Sequence, residues 1–68
     1  MVYTGKIEKR LLSASSQIVV LFANGQMLEF DDIDGAKRFL DFYNRNSSAR
    51  SLNPGKIYLF MGGEWQVD

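Results

Sequence analysis

The chain has no cysteine, no histidine, a single proline and no net charge. Each shortage removes a class of chemistry. Without Cys there is no disulfide. Without Cys and His there is no structural zinc, haem or iron–sulfur centre built on those ligands. The commonest general base and the best side-chain nucleophile are also missing, so the expectation is a protein that is not an enzyme and carries no cofactor. Eight basic residues cancel eight acidic ones, which leaves no global field to steer the chain toward nucleic acid or an anionic membrane. No apolar run approaches the ~20 residues that cross a bilayer. The start of the sequence lacks a signal-peptide pattern. The expected setting is therefore cytoplasmic, without a membrane partner, and the size and composition suit a bacterial or phage-type accessory protein.

What is present is ordinary for a globular chain: 68 residues, 46% hydrophobic and 24% charged, read as one domain spanning residues 1–68. Nine aromatic residues give its core bulky filling. A core of this size supplies only about 3–5 kcal/mol of net stability. Of the usual supports for small folds, association with another chain is the one that remains open.

Residues 2–12 read as an edge strand, with Tyr3, Ile7 and Leu11 on one side and Lys6, Glu8 and Arg10 on the other. Ser13–Ser16 is a polar turn segment. Asn24-Gly25 separates two runs rich in strand formers, residues 17–23 and 26–30. A two-residue Asn-Gly loop favours a type I′ turn, because both types tolerate positive φ. That turn pairs Phe22 with Met27, Leu21 with Leu28, Val20 with Glu29 and Val19 with Phe30. Val19, Leu21, Leu28 and Phe30 then share one face; Ile18, Val20, Phe22 and Met27 share the other, with Glu29 among them.

Asp31-Asp32 places acceptors and negative charge where a helix begins. Ile33, Ala36, Leu40 and Tyr43 recur at helical spacing with Phe39 beside them, while Phe42 lies at the edge of the stripe. Asn46-Ser47-Ser48 ends the helix, and residues 45–56 form a loop whose Asn53-Pro54-Gly55 is strong turn chemistry. Lys56–Met61 is a strand, and Gly62-Gly63 folds it into Glu64–Val67, pairing Phe60 with Trp65 and Tyr58 with Val67. The expected class is α+β, with element order βββαββ: a small antiparallel sheet of four to five strands packed on one helix. One helix covers one face, so the sheet either curls into a partial barrel or presents its second face to solvent or a partner.

Chemistry-bearing motifs are thin. The serines at 13, 15, 16, 47, 48 and 51 sit in turn segments with no nucleophile-elbow sequence. Asp31, Asp32, Asp34 and Gly35 echo part of a calcium loop but lack its full ligand set. Asn46-Ser47-Ser48 matches a glycosylation sequon without a secretory signal beside it.

Three functional readings remain; the least supported is an enzyme or small-ligand carrier, whose aromatic residues could line a pocket but for which no convergent polar set is visible. An unpartnered apolar sheet face marks a protein-binding or self-associating module, with Ile18, Val20, Phe22, Met27, Phe42 and Met61 as contacts. The alternative is a nucleic-acid binder. In it, the acid-free stretch with Arg45, Arg50 and Lys56 meets the phosphates while Tyr58 and Trp65 stack bases.

Overall fold

The computed structural model describes residues 5–68, with side chains from residue 9 onward. Its elements run α1 (Gly5–Leu12), β1 (Ile18–Phe22), β2 (Met27–Phe30), α2 (Ile33–Asn44), α3 (Ser47–Leu52), β3 (Gly55–Met61) and β4 (Glu64–Val67). The strands form one open four-stranded sheet in the order β2-β1-β3-β4, and every neighbouring pair is antiparallel. This is an α+β fold. The sheet does not close into a barrel: β2 and β4 are its edges, and helices cover its faces.

The segment expected to be a first strand is α1 from Gly5 onward; Tyr3 and the rest of residues 2–4 lie outside the described residues. The sequence pattern was ambiguous because Ile7 and Leu11 are four apart, a spacing that returns to the same face of a strand and of a helix. Composition decides between them. Lys, Glu, Arg and Leu are good helix formers, and Lys9 and Arg10 stand in the last turn, where cations suit the negative end of the helix dipole. The adjacent Leu12 also breaks strict alternation.

The hairpin after β1 differs from expectation by one residue. Ile18 pairs with Phe30, Val19 with Glu29, Val20 with Leu28 and Leu21 with Met27. The loop has three residues, Ala23-Asn24-Gly25. Gly25 N–H donates to the Phe22 carbonyl at 2.9 Å, and Phe22 N–H donates to the Gln26 carbonyl at 2.9 Å. Gly25 alone takes positive φ (+93°), while Asn24 stays at negative φ and its Oδ1 accepts from Gln26 N–H at 2.9 Å. This is a type I turn followed by a left-handed glycine, not a type I′ turn. A contact distant in sequence holds it. Ala23 N–H donates to the Pro54 carbonyl at 2.9 Å, and Asn24 N–H donates to Asn53 Oδ1 at 2.9 Å.

A slip of one residue exchanges every side chain of a strand between faces. Leu28 and Phe30 therefore join Ile18, Val20 and Phe22, with Ile57 and Leu59 of β3 on the same side. Met27 moves to the opposite side with Val19, Leu21, Tyr58, Trp65 and Val67.

Helix α2 covers the first of these faces through Ile33, Ala36, Phe39, Leu40 and Tyr43, the residues whose periodicity marks it in the sequence. Asp32 caps it, its Oδ1 accepting from Gly35 N–H at 2.6 Å, so this carboxylate serves the helix start. Rings fill the space between helix and sheet: Phe22 lies 4.8 Å from Tyr43 and Phe30 lies 5.6 Å from Phe39, centroid to centroid. The other face is covered by Leu11 of α1, which is fully buried, with Ala14 packed beside it.

The stretch expected as a loop contains α3. Asn46 does not simply end α2; it opens the next helix, its Oδ1 accepting from Ala49 N–H at 3.0 Å. The Tyr43 hydroxyl fastens this region by donating to the Asn53 carbonyl at 2.7 Å. The second hairpin has the expected register, Phe60 opposite Trp65 and Tyr58 opposite Val67. Gly62 and Gly63 both hold positive φ, at 62° and 83°, as a type I′ turn requires.

Gly55 sits opposite Phe22, where a Cβ would approach the Phe22 ring to 2.8 Å and Leu40 to 3.2 Å. Gly55→Ala is expected to cost about 1–3 kcal/mol through overpacking. The measurement is a fall in the urea midpoint at unchanged slope; a variant as stable as the parent contradicts this seating of the ring.

Candidate binding surfaces

The residues expected to form a docking face separate into core and surface. Val20 (0% exposed) and Phe22 (5%) are enclosed beneath α2, with Ile18 packed against the same cluster. Met27, part-buried, lies on the other side of the sheet, where Leu11 of α1 sits. Phe42, 71% exposed on α2, and Met61, 54% exposed at the end of β3, do reach the surface. They stand on different elements and do not form one patch with the sheet residues.

The basic and aromatic set is likewise divided. Arg45 occupies the C-cap of α2, where its backbone N–H donates to the Phe42 carbonyl at 3.2 Å, and the next N–H, of Asn46, donates to the Tyr43 carbonyl at 3.2 Å. Arg50 lies in the last turn of α3. Lys56 and Tyr58 line a crevice on the α1 side of the sheet. Trp65 is half-buried in the Leu11 cluster, its ring 5.3 Å from that of Phe60. Tyr58 is 4% exposed and offers no ring face for a base to stack on.

Among the described residues, two concavities bear on binding. The first is a groove of about 540 Å³ between α2 and α3, lined by Phe39, Phe42, Tyr43, Arg45, Asn46 and Ala49. It arises because Asn46 starts a new helix directly after α2, so the chain doubles back beside the aromatic side of that helix. Phe39 and Tyr43 are anchored in the core, and Phe42 projects beyond them. This groove was not visible in the sequence. The signal that could have revealed it is Asn46-Ser47-Ser48 read as a helix start, an Asn cap three residues ahead of the N–H it accepts from.

The second concavity, about 510 Å³, lies where β1 runs into the 23–25 turn and carries Arg10 and Lys56 on its walls. The Arg10 guanidinium is held in place: Nε donates to the Gly25 carbonyl at 2.6 Å, and Nη1 donates to Ser13 Oγ at 3.3 Å. Nearby, Glu29 Oε1 accepts from Ser15 N–H at 2.9 Å and Ser16 N–H at 2.8 Å, tying the segment after α1 to the edge strand β2. The ion pair between Lys37 and Asp68, 3.9 Å and exposed, contributes little beside these contacts.

Burial raises the Tyr58 phenol above its ordinary value of 10.0 by disfavouring the charged form. The folded state then holds its proton more tightly than the unfolded chain. This contribution to stability is complete below pH 10.0 and is lost as pH rises through the raised folded value. In urea titrations at neutral and strongly alkaline pH, the parent should lose more stability than Tyr58→Phe; equal losses would remove burial as the cause.

No protein-family model matches this chain, and comparisons with curated proteins and with solved structures likewise give no match.

Proposed function

We propose that the chain is a non-catalytic protein-binding module whose contact surface is the groove between α2 and α3 rather than a face of the sheet. The supporting observation is Phe42, 71% exposed at the rim of a groove that also carries Phe39 and Tyr43. A large apolar side chain held on a rigid helix, beside rings already fixed in the core, is pre-organised to fill a partner's pocket with little further loss of entropy. Arg45 at the rim selects a partner segment that offers an apolar anchor with an acid beside it. A cytoplasmic setting, in keeping with the absence of cysteine, belongs to this proposal.

The nucleic-acid reading loses support, since Lys56 stands away from Arg45 and the Tyr58 ring is enclosed. In the described residues no helix is long and apolar enough to cross a membrane.

Substituting Phe42 by Ser should leave folding stability within about 0.5 kcal/mol, as for an exposed position, while abolishing partner capture from lysate or self-association seen by light scattering. The proposal fails if the parent chain captures nothing and stays monomeric across a concentration series. It fails equally if F42S binds as the parent does.

A further inference from the structure

The outer side of α2 carries a charge pattern that nothing else among the described residues answers. Asp34, Arg38, Asp41 and Arg45 recur at spacings of four, three and four residues, so they form one stripe along the helix. Arg45, the C-cap, keeps helical dihedrals (φ −66°, ψ −25°) and continues it. All four residues are exposed, on the side opposite Ala36 and Tyr43, which pack toward the sheet. Their signs alternate. The spacing allows Asp34 to pair with Arg38 and Asp41 with Arg45 inside the helix. Yet among the described residues no ion pair or hydrogen bond engages any of the four side chains. The ion pair that α2 does make, Lys37 with Asp68, lies to the side of the stripe.

The order of the signs is self-complementary. Two copies of α2 laid antiparallel, about a twofold axis between residues 39 and 40, set Asp34 opposite Arg45 of the second copy and Arg38 opposite its Asp41. Symmetry repeats each contact, so every charge of the stripe meets its opposite. A parallel pairing instead sets each residue against its own copy, like charge on like, which is costly. Phe42, 71% exposed, stands beside the stripe next to Asp41. In the antiparallel arrangement it gains cover from the methylene stem of the second copy's Arg38. Helix α2 has 12 residues and spans about 18 Å. A contact this short buries less than the roughly 1,200 Å² of stable interfaces, so the pair forms weakly and depends on concentration.

We propose that the α2 contact surface inferred above, on which this assignment rests, takes a second copy of the chain. The two helices lie antiparallel about a twofold axis, held in register by the Asp34–Arg45 and Arg38–Asp41 contacts.

Sedimentation velocity of the full chain over a concentration series tests this. The parent should self-associate, and less so as salt rises and screens the exposed charges. Arg38→Glu sets an acid opposite Asp41 of the second copy, and Asp41→Arg sets a cation opposite its Arg38. Each variant alone should weaken self-association roughly tenfold or more. Both positions are exposed, so both variants should fold as the parent does. An equimolar mixture of R38E and D41R brings opposite charges together again at both central contacts, and association should return to the parent's level. A mixture that fails to associate overturns the proposal, as does association indifferent to R38E or D41R. A monomer at every concentration that captures another protein through Phe42 overturns the second copy alone and leaves the groove reading standing; a monomer that captures nothing sinks both.

Discussion

Two hydrogen bonds across the end of the sheet govern the arrangement of the molecule. The Pro54 carbonyl takes the Ala23 N–H, and Asn53 Oδ1 takes the Asn24 N–H. With both donors engaged by a loop some thirty residues away in sequence, the turn between β1 and β2 settles into three residues rather than two. The register follows, and with it the face on which every β2 side chain lies. The same contact brings Gly55 against Phe22, where a side chain on Gly55 would collide. Crossover chain, hairpin and core packing are thus mutually dependent at one corner, the consistency expected of a sequence that specifies a single fold.

With the register set this way, β1 becomes the centre of two half-cores. Ile18, Val20 and Phe22 face the aromatic side of α2, while Val19 and Leu21 face Leu11 of α1. A strand apolar on both faces normally signals cover on both sides, and here Leu11 of α1 lies on one side and α2 on the other. The surface proposed for recognition therefore lies off the sheet, on the outer edge of α2, where Phe42 is exposed.

The elements legible in the sequence were those with redundant signals. Helix α2 carries an Asp cap, apolar residues at helical spacing and a polar outer side, all in agreement. The β3–β4 hairpin carries two glycines between strand-forming runs, so turn and pairing are specified together. Segments with a single signal were misread. The period of residues 5–12 fits either a helix or a strand, and α3 has six residues with little apolar periodicity beyond its Asn cap. Among the residues considered for binding, Phe42 was legible as a poorly covered aromatic because it falls at the edge of a clear helical stripe. Val20 and Phe22 were not legible as core, because their cover depends on where α2 lands. Arg10 carried no signal at all: its position follows from α1 being a helix and from a carbonyl fifteen residues away.

Local signals in the sequence settle an α+β chain with a capped amphipathic helix and a glycine-turned final hairpin. Local rules suffice for these, since the caps, turn glycines and periodicity act within a few residues. The tertiary structure alone decided the loop length at residues 23–25, the faces of β2, the second cover from α1 and both concavities. Each depends on which donor meets which acceptor across long stretches of chain, and a one-residue difference there is invisible to hydrophobic pattern yet reverses a whole strand.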